Sequence, residues 1–127
     1  MKNIDFNTEE KLMKSFRARL TELAIEAELK NYDISNHIEK IKNKMQNHAI
    51  KRKFIIRLFK PKLNTSFAIG ANFDTVYQTF IPDNIEPYAY MKLFITALKD
   101  LGFEDEDIEK SAEEEKEYYY YTIKVEW

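Results

Sequence analysis

The stretch Lys51–Ile81, KRKFIIRLFKPKLNTSFAIGANFDTVYQTFI, decides the fold. It is the one long run dense in Phe, Ile, Thr, Val and Tyr, residues that suit a pleated, half-buried surface. Two turn signals, Lys60-Pro61-Lys62-Leu63-Asn64 and Asn72-Phe73-Asp74, divide it into three short pieces. It reads as an antiparallel meander over 51–81. In the first strand Phe54, Ile56 and Leu58 face one way and Ile55, Arg57 and Phe59 the other. Both sets are largely apolar, which predicts a central strand, or one with helix on one side and a partner on the other. In the second strand Phe67, Ile69 and Ala71 alternate with Ser66, Ala68 and Gly70, and Gly70 marks a bulge or a close backbone approach. The third strand runs from about Thr75 to Ile81.

Upstream, residues 1–48 form a helical segment. Leu12, Phe16, Leu20, Leu23 and Ala27 recur at helical spacing, and Ile34, Ile38, Ile41 and Met45 form a second set. Two readings stay open for residues 8–47. One long helix carries both stripes, or Asn31-Tyr32-Asp33 breaks it and Asp33 caps a second helix. A break or kink is favoured, because all three are indifferent helix formers.

Downstream, Pro87 suits the first turn of a helix over 87–101, and Gly102 suits its stop. Residues 103–117 are acidic and fit either a short solvated helix or a loop. Over 118–127, Tyr119, Tyr121, Ile123, Val125 and Trp127 alternate with Tyr118, Tyr120, Thr122, Lys124 and Glu126, a strand that completes the sheet. The expectation is a single α+β domain over 1–127. A long or kinked helix, or a helix pair, and one later helix pack on a four-stranded, mainly antiparallel sheet, in the order α(α)-β-β-β-α-β.

Composition excludes several chemistries. The chain has 127 residues and no Cys, so disulfides, thiolate catalysis and zinc fingers built on Cys are out. No apolar run approaches a membrane span, and no apolar stretch follows Lys2 as in a signal peptide. A cytoplasmic protein with no membrane contact is expected. No phosphate loop, nucleophile elbow or HExxH is present, so neither an enzyme nor a cofactor is expected. His37 and His48 would share a face of one straight helix, but about 16 Å apart, too far to share a metal. The acidic cluster lacks the Gly of a calcium loop, so no metal site is expected.

The net charge of −2 conceals a polarity. Residues 1–63 hold 15 Lys/Arg against 8 Asp/Glu, a surplus of +7; residues 64–127 hold 5 against 14, a surplus of −9. Lys40–Lys62 contains nine basic residues and no acid, and Asp100–Glu117 contains ten acids against Lys110 and Lys116. Such separation steers partners and does not set the fold. The first expectation is therefore a non-enzymatic protein-binding regulator or inhibitor. Its contact residues would be Glu104, Asp105, Glu106, Asp107, Tyr118 and Tyr120. A homodimer through the N-terminal helix is a further expectation. Small, Cys-free, charge-polarised chains of this kind share their composition with mobile-element and phage inhibitors of host machinery.

The alternative is nucleic-acid binding through Lys40, Lys44, Lys51, Arg52, Lys53 and Arg57, with Phe54 and Phe59 interleaved. Glu22–Leu29 (ELAIEAEL) followed by Ile34–Ile41 (ISNHIEKI) resembles a repressor-type helix-turn-helix, with Leu23, Ala24, Leu29, Ile34, Ile38 and Ile41 at its buried positions. Glu28 stands where that motif usually has Gly. The resemblance implies Asp33, Ser35, Asn36 and Lys40 near a major groove, and a hairpin after residue 51 as a wing.

Overall fold

The computed structural model describes residues 15–24, 27 and 32–127. They fall in two compact units, Met1–Tyr32 and Asp33–Trp127. In the first, residues 15–24 are helical. Leu12 of the first apolar stripe, and Glu28 and Leu29 of the helix-turn-helix resemblance, lie outside the described residues.

The second unit starts at a break. Residues 32–34 are not helical, and the Ser35 N–H donates to Asp33 Oδ1 at 2.9 Å. Asp33 thus holds an otherwise orphaned donor at the start of α1 (Ser35–Asn47). Ile41 and Met45 of α1 are buried. A 3₁₀ turn, Ala49–Lys51, and a left-handed Arg52 (φ 55°) lead into β1 (Lys53–Pro61). Next come β2 (Val76–Phe80), α2 (Pro87–Asp100), β3 (Ile108–Glu114) and β4 (Tyr118–Glu126).

The class is α+β with a four-stranded sheet, in spatial order β2-β1-β4-β3. β1 pairs antiparallel with β4, and β4 with β3, but β1 pairs parallel with β2. The sheet is therefore mixed, and the meander expected over 51–81 is not formed. Residues 65–73, read as the middle strand, are irregular. The physical reason lies in the pairing. Parallel neighbours need a crossover of about a dozen residues or more, and residues 62–75 supply it without a helix. The turn at Lys62–Thr65 is present, with the Thr65 N–H donating to the Lys62 carbonyl and Asn64 at φ 66°. It sends the chain across one face of the sheet instead of beside β1. Gly70 sits in this crossover, outside any strand and with open space where a Cβ would be, so neither the expected bulge nor the close backbone approach is formed.

The fourth strand comes from the acidic stretch. Residues 108–114, expected as a solvated helix or loop, form the edge strand β3. All but Ile108 are exposed, so burial never imposed an apolar period on them. A charged edge strand of this kind also discourages pairing with stray chains.

α2 matches its sequence signals. The Ala89 N–H donates to the Glu86 carboxylate at 2.9 Å, and Pro87 occupies the first turn. At the other end Gly102 has φ +106°, its N–H donates to Lys99 O, and the Phe103 N–H donates to Leu98 O. That pair of bonds is a Schellman stop, and the positive φ requires glycine.

Phe54, Ile56 and Leu58 of β1, and Ile123 and Val125 of β4, are fully buried with Ile41, Phe94 and Leu98 from the helices. Each such side chain contributes about 1.5–3 kcal/mol. Both helices lie on this face. His37 of α1 meets Tyr77 and Phe94 at ring centroids of 5.8 Å, and Tyr88 of α2 meets Tyr121 at 5.3 Å. The opposite face of the sheet bears the crossover.

Candidate functional site

The sheet face opposite the helices, covered by the crossover at one end only, is built from alternate residues of the strands. The register sets Arg57 between Gln78 and Thr122, and Phe59 between Phe80 and Tyr120. Glu113 of β3 stands opposite Tyr120, and Tyr118 opposite Pro61. The crossover lowers Phe67 onto this end of the face. Its ring stacks on Tyr118 at 4.5 Å and meets Phe80 at 5.3 Å and Phe59 at 6.0 Å. The rings of Phe59, Phe67, Phe80, Tyr118 and Tyr120 thus form one continuous cluster.

Beside that cluster lies a concavity of about 190 Å³ lined by Arg57, Phe59, Glu115, Tyr118 and Tyr120. Arg57 Nε is out of contact with solvent and has no hydrogen-bond partner among the described residues. A guanidinium N–H withdrawn from water and left unpaired costs about 1–3 kcal/mol. The Tyr120 hydroxyl donates to the Glu113 carboxylate. That bond to a carboxylate pushes the phenol up to about 12. Tyr120 is therefore a neutral, oriented ring at neutral pH.

One predicted contact set divides between two ends of the β3–β4 hairpin. Tyr118 and Tyr120 lie in the concavity. Glu104–Asp107 precede β3, about 20 Å away along the strand. There the Glu104 N–H donates to Asp107 Oδ2 at 3.0 Å, and Lys99 Nζ lies 2.6 Å from Asp105. The Lys99 hydrogen bond and charge hold the Asp105 carboxyl below its ordinary range. Glu106 is pushed up, first by its hydrogen bond with Glu104 and then by the charge of Asp107. Among the described residues no three His, Asp or Glu side chains converge as metal ligands.

The basic set divides further. Lys40 is exposed on α1, and Lys44 Nζ donates to the Phe73 carbonyl at 3.1 Å. Arg52 Nε donates to the Trp127 main-chain oxygen at 2.7 Å. Lys51 and Lys53 line a cleft of about 480 Å³ with Asn72, Phe73, Asp74 and Thr75. Arg57 belongs to the aromatic face. The hairpin expected as a wing is not there, because β1 is followed by the crossover and a parallel strand. Lys62 Nζ reaches Glu114 at 2.7 Å, the single ion pair among the described residues that joins the basic run to the acidic run.

The histidines also part company. His37 shares a 2.6 Å hydrogen bond with the Tyr77 hydroxyl, and His48 lies 3.6 Å from Asp74. Burial, with help from Lys40, lowers the His37 pKa below its ordinary value.

Sequence reasoning missed Phe67 and Phe80, because the middle segment was placed in the sheet. It also missed the pairing of Arg57 with the two tyrosines. Ile55, Arg57 and Phe59 on one side of β1 were the available signal. Comparison with known proteins returns no match among family models, curated proteins or solved structures. No helix of the described residues is long and apolar enough to cross a membrane.

Proposed function

We propose that this chain is a non-enzymatic interaction protein, a small cytoplasmic regulator or inhibitor that holds a protein partner on the open face of its sheet. The observation that supports this reading is Arg57 Nε, out of contact with solvent and without a hydrogen-bond partner among the described residues, beside a continuous cluster of five aromatic rings. Arg and Tyr are the residue types that dominate contact energies between proteins. A concavity of about 190 Å³ suits one inserted side chain better than a small-molecule substrate, for which about 300 Å³ or more is usual. Glu115 at its rim favours an inserted group that brings a donor or a positive charge as well as an acceptor for Arg57.

The test is capture from the native host with wild-type bait, followed by affinity measurement on the captured protein. Tyr118→Ala should weaken binding about 30-fold or more, the loss of a central contact. Reversal of Glu104–Asp107 should weaken it much less. Equal affinity of wild type and Tyr118→Ala, with the fold intact, refutes the assignment.

A second reading rests on the cleft at Lys51 and Lys53. The Phe73 ring beside it is 65 % exposed, an aromatic platform next to cations of the kind that holds single-stranded nucleic acid. Retention of mixed DNA and RNA at low salt, lost on salt titration, supports it; no retention at low salt removes it.

A further inference from the structure

The two edges of the sheet differ in what their main chain offers. On β2 the bonds from Ile55 N–H to Thr75 O and from Ile81 N–H to Phe59 O turn the odd-numbered residues toward β1. Val76, Gln78 and Phe80 therefore present their main chain outward. Two of these donors are already taken: the Val76 N–H donates to the Phe73 carbonyl at 3.1 Å, and the Gln78 N–H to the Asn72 side chain. β3 is bare by comparison. It ends the sheet, paired only with β4. The Glu115 N–H donates to the Tyr118 carbonyl at 2.8 Å. Alternation along the ladder then points Glu109, Ser111 and Glu113 toward β4, and Lys110, Ala112 and Glu114 away from it. The N–H groups of Lys110, Ala112 and Glu114 have no main-chain partner among the described residues, and residues 109–114 are exposed. An edge of this kind takes an extended chain as an added strand; the main chain supplies affinity and the side chains choose the sequence.

Charge makes that choice on β3. Glu109 and Glu113 lie on one face of the strand, four positions and about 14 Å apart. A second copy of β3 fits badly. Paired antiparallel over its full length, Glu109 of each copy would stand opposite Glu113 of the other, and like charges directly opposite are destabilising. From the bare edge and its charge we infer that β3 docks an extended basic segment of another protein as a fifth strand, with Lys or Arg at i and i+4 facing Glu113 and Glu109. The acids that turn away stray edges thus select a basic one. This site uses the main chain of 110–114 and not the Tyr118 concavity, so either assignment can fail alone.

An NMR titration of the full, isotope-labelled chain tests it, with a short threonine–valine peptide carrying lysines four positions apart as the probe. Amide shifts should concentrate on β3. Exchange at the Lys110, Ala112 and Glu114 N–H groups should slow about tenfold or more at saturation, while Val76–Phe80 stay unchanged. The same peptide with glutamates in place of the lysines should bind about tenfold more weakly. Glu109→Lys with Glu113→Lys should reverse that preference; both side chains are exposed, and an unchanged far-UV spectrum shows that the fold persists. Tyr118→Ala should bind the lysine peptide as wild type does. No shift at millimolar peptide, unchanged exchange at Lys110, Ala112 and Glu114, or equal binding of the two peptides overturns the inference. Loss of binding in Tyr118→Ala would place the peptide in the concavity and overturn the edge assignment as well.

Discussion

Phe67→Ala tests whether residues 62–75 lie over the sheet or within it. The ring touches Phe59, Phe80 and Tyr118, and its side chain is half-buried. A fully buried Phe→Ala change costs about 3–5 kcal/mol. Half that burial, with the aromatic contacts included, gives about 2 kcal/mol. At this chain length the loss corresponds to a Tm lower by about 6–10 °C. Urea and thermal unfolding monitored by circular dichroism measure it. Amide exchange distinguishes the two placements. Backbone N–H groups of 66–71 make no ladder bonds, so they should exchange far faster than those of Phe54–Phe59. In Phe67→Ala, proteolytic nicking should concentrate in the crossover while the β1–β4 pairing stays protected. A cost below about 0.5 kcal/mol would show that the rings do not anchor the crossover. Slow exchange across 66–71 would return the segment to the sheet as a central strand.

Stability should fall on mild acidification through His37. Burial lowers its folded pKa below the ordinary 6.5, so the unfolded chain binds the proton more readily. The full contribution is present above about pH 6.5 and is lost as pH falls through the lower, folded value. Urea midpoints across that window should drop for wild type and stay flatter for His37→Gln. Lys62→Ala should release Glu114, whose carboxyl the Lys62 hydrogen bond and charge hold below the ordinary range. An NMR titration should show the Glu114 midpoint rising. The stability cost should stay within about 1 kcal/mol, since the Glu114 side chain is 62 % exposed and solvent screens the pair.

The parts legible in the sequence were those where one physical demand dominates. Pro87 and Gly102 bound α2 because a helix end has few chemical solutions. Tyr118–Glu126 showed period two because one side of β4 is buried. β3 was illegible for the opposite reason: with both faces in solvent, nothing selects an alternation, and IEKSAEE looks like any solvated segment. The crossover misled because Phe67, Ile69 and Ala71 do alternate, yet the alternation serves a segment lying on the face. Parallel or antiparallel pairing of β1 and β2 is a matter of which way the chain returns. No local residue choice encodes that beyond the length of the connection. The candidate site was half legible. Tyr118 and Tyr120 were singled out, but Arg57 was grouped with cations that the fold distributes elsewhere, and Phe67 arrives from fourteen connecting residues whose path the sequence does not state.

Most side chains of the acidic run are exposed after folding, and under the proposed function this shapes how a partner would arrive. Lys62–Glu114 is the one ion pair among the described residues between the two runs, so most of the acids on β3 and its flanks remain free to act at a distance. Across the open face the rows pass from apolar over β1 and β2 to acidic over β3, as in Phe80, Phe59, Tyr120, Glu113. A matching partner presents an apolar or aromatic patch beside cations. Rim charges act mainly on association, whereas a desolvated central contact acts on dissociation. Reversal away from the concavity, Glu109→Lys with Glu117→Lys, should therefore slow association about tenfold at low salt and leave dissociation nearly unchanged. Tyr118→Ala should do the converse, shortening the lifetime of the complex with little effect on its formation. Surface plasmon resonance at two ionic strengths separates the two. If this charge reversal and Tyr118→Ala altered the same rate constant to the same extent, the division between steering edge and anchoring face would be wrong, even were the partner correctly found.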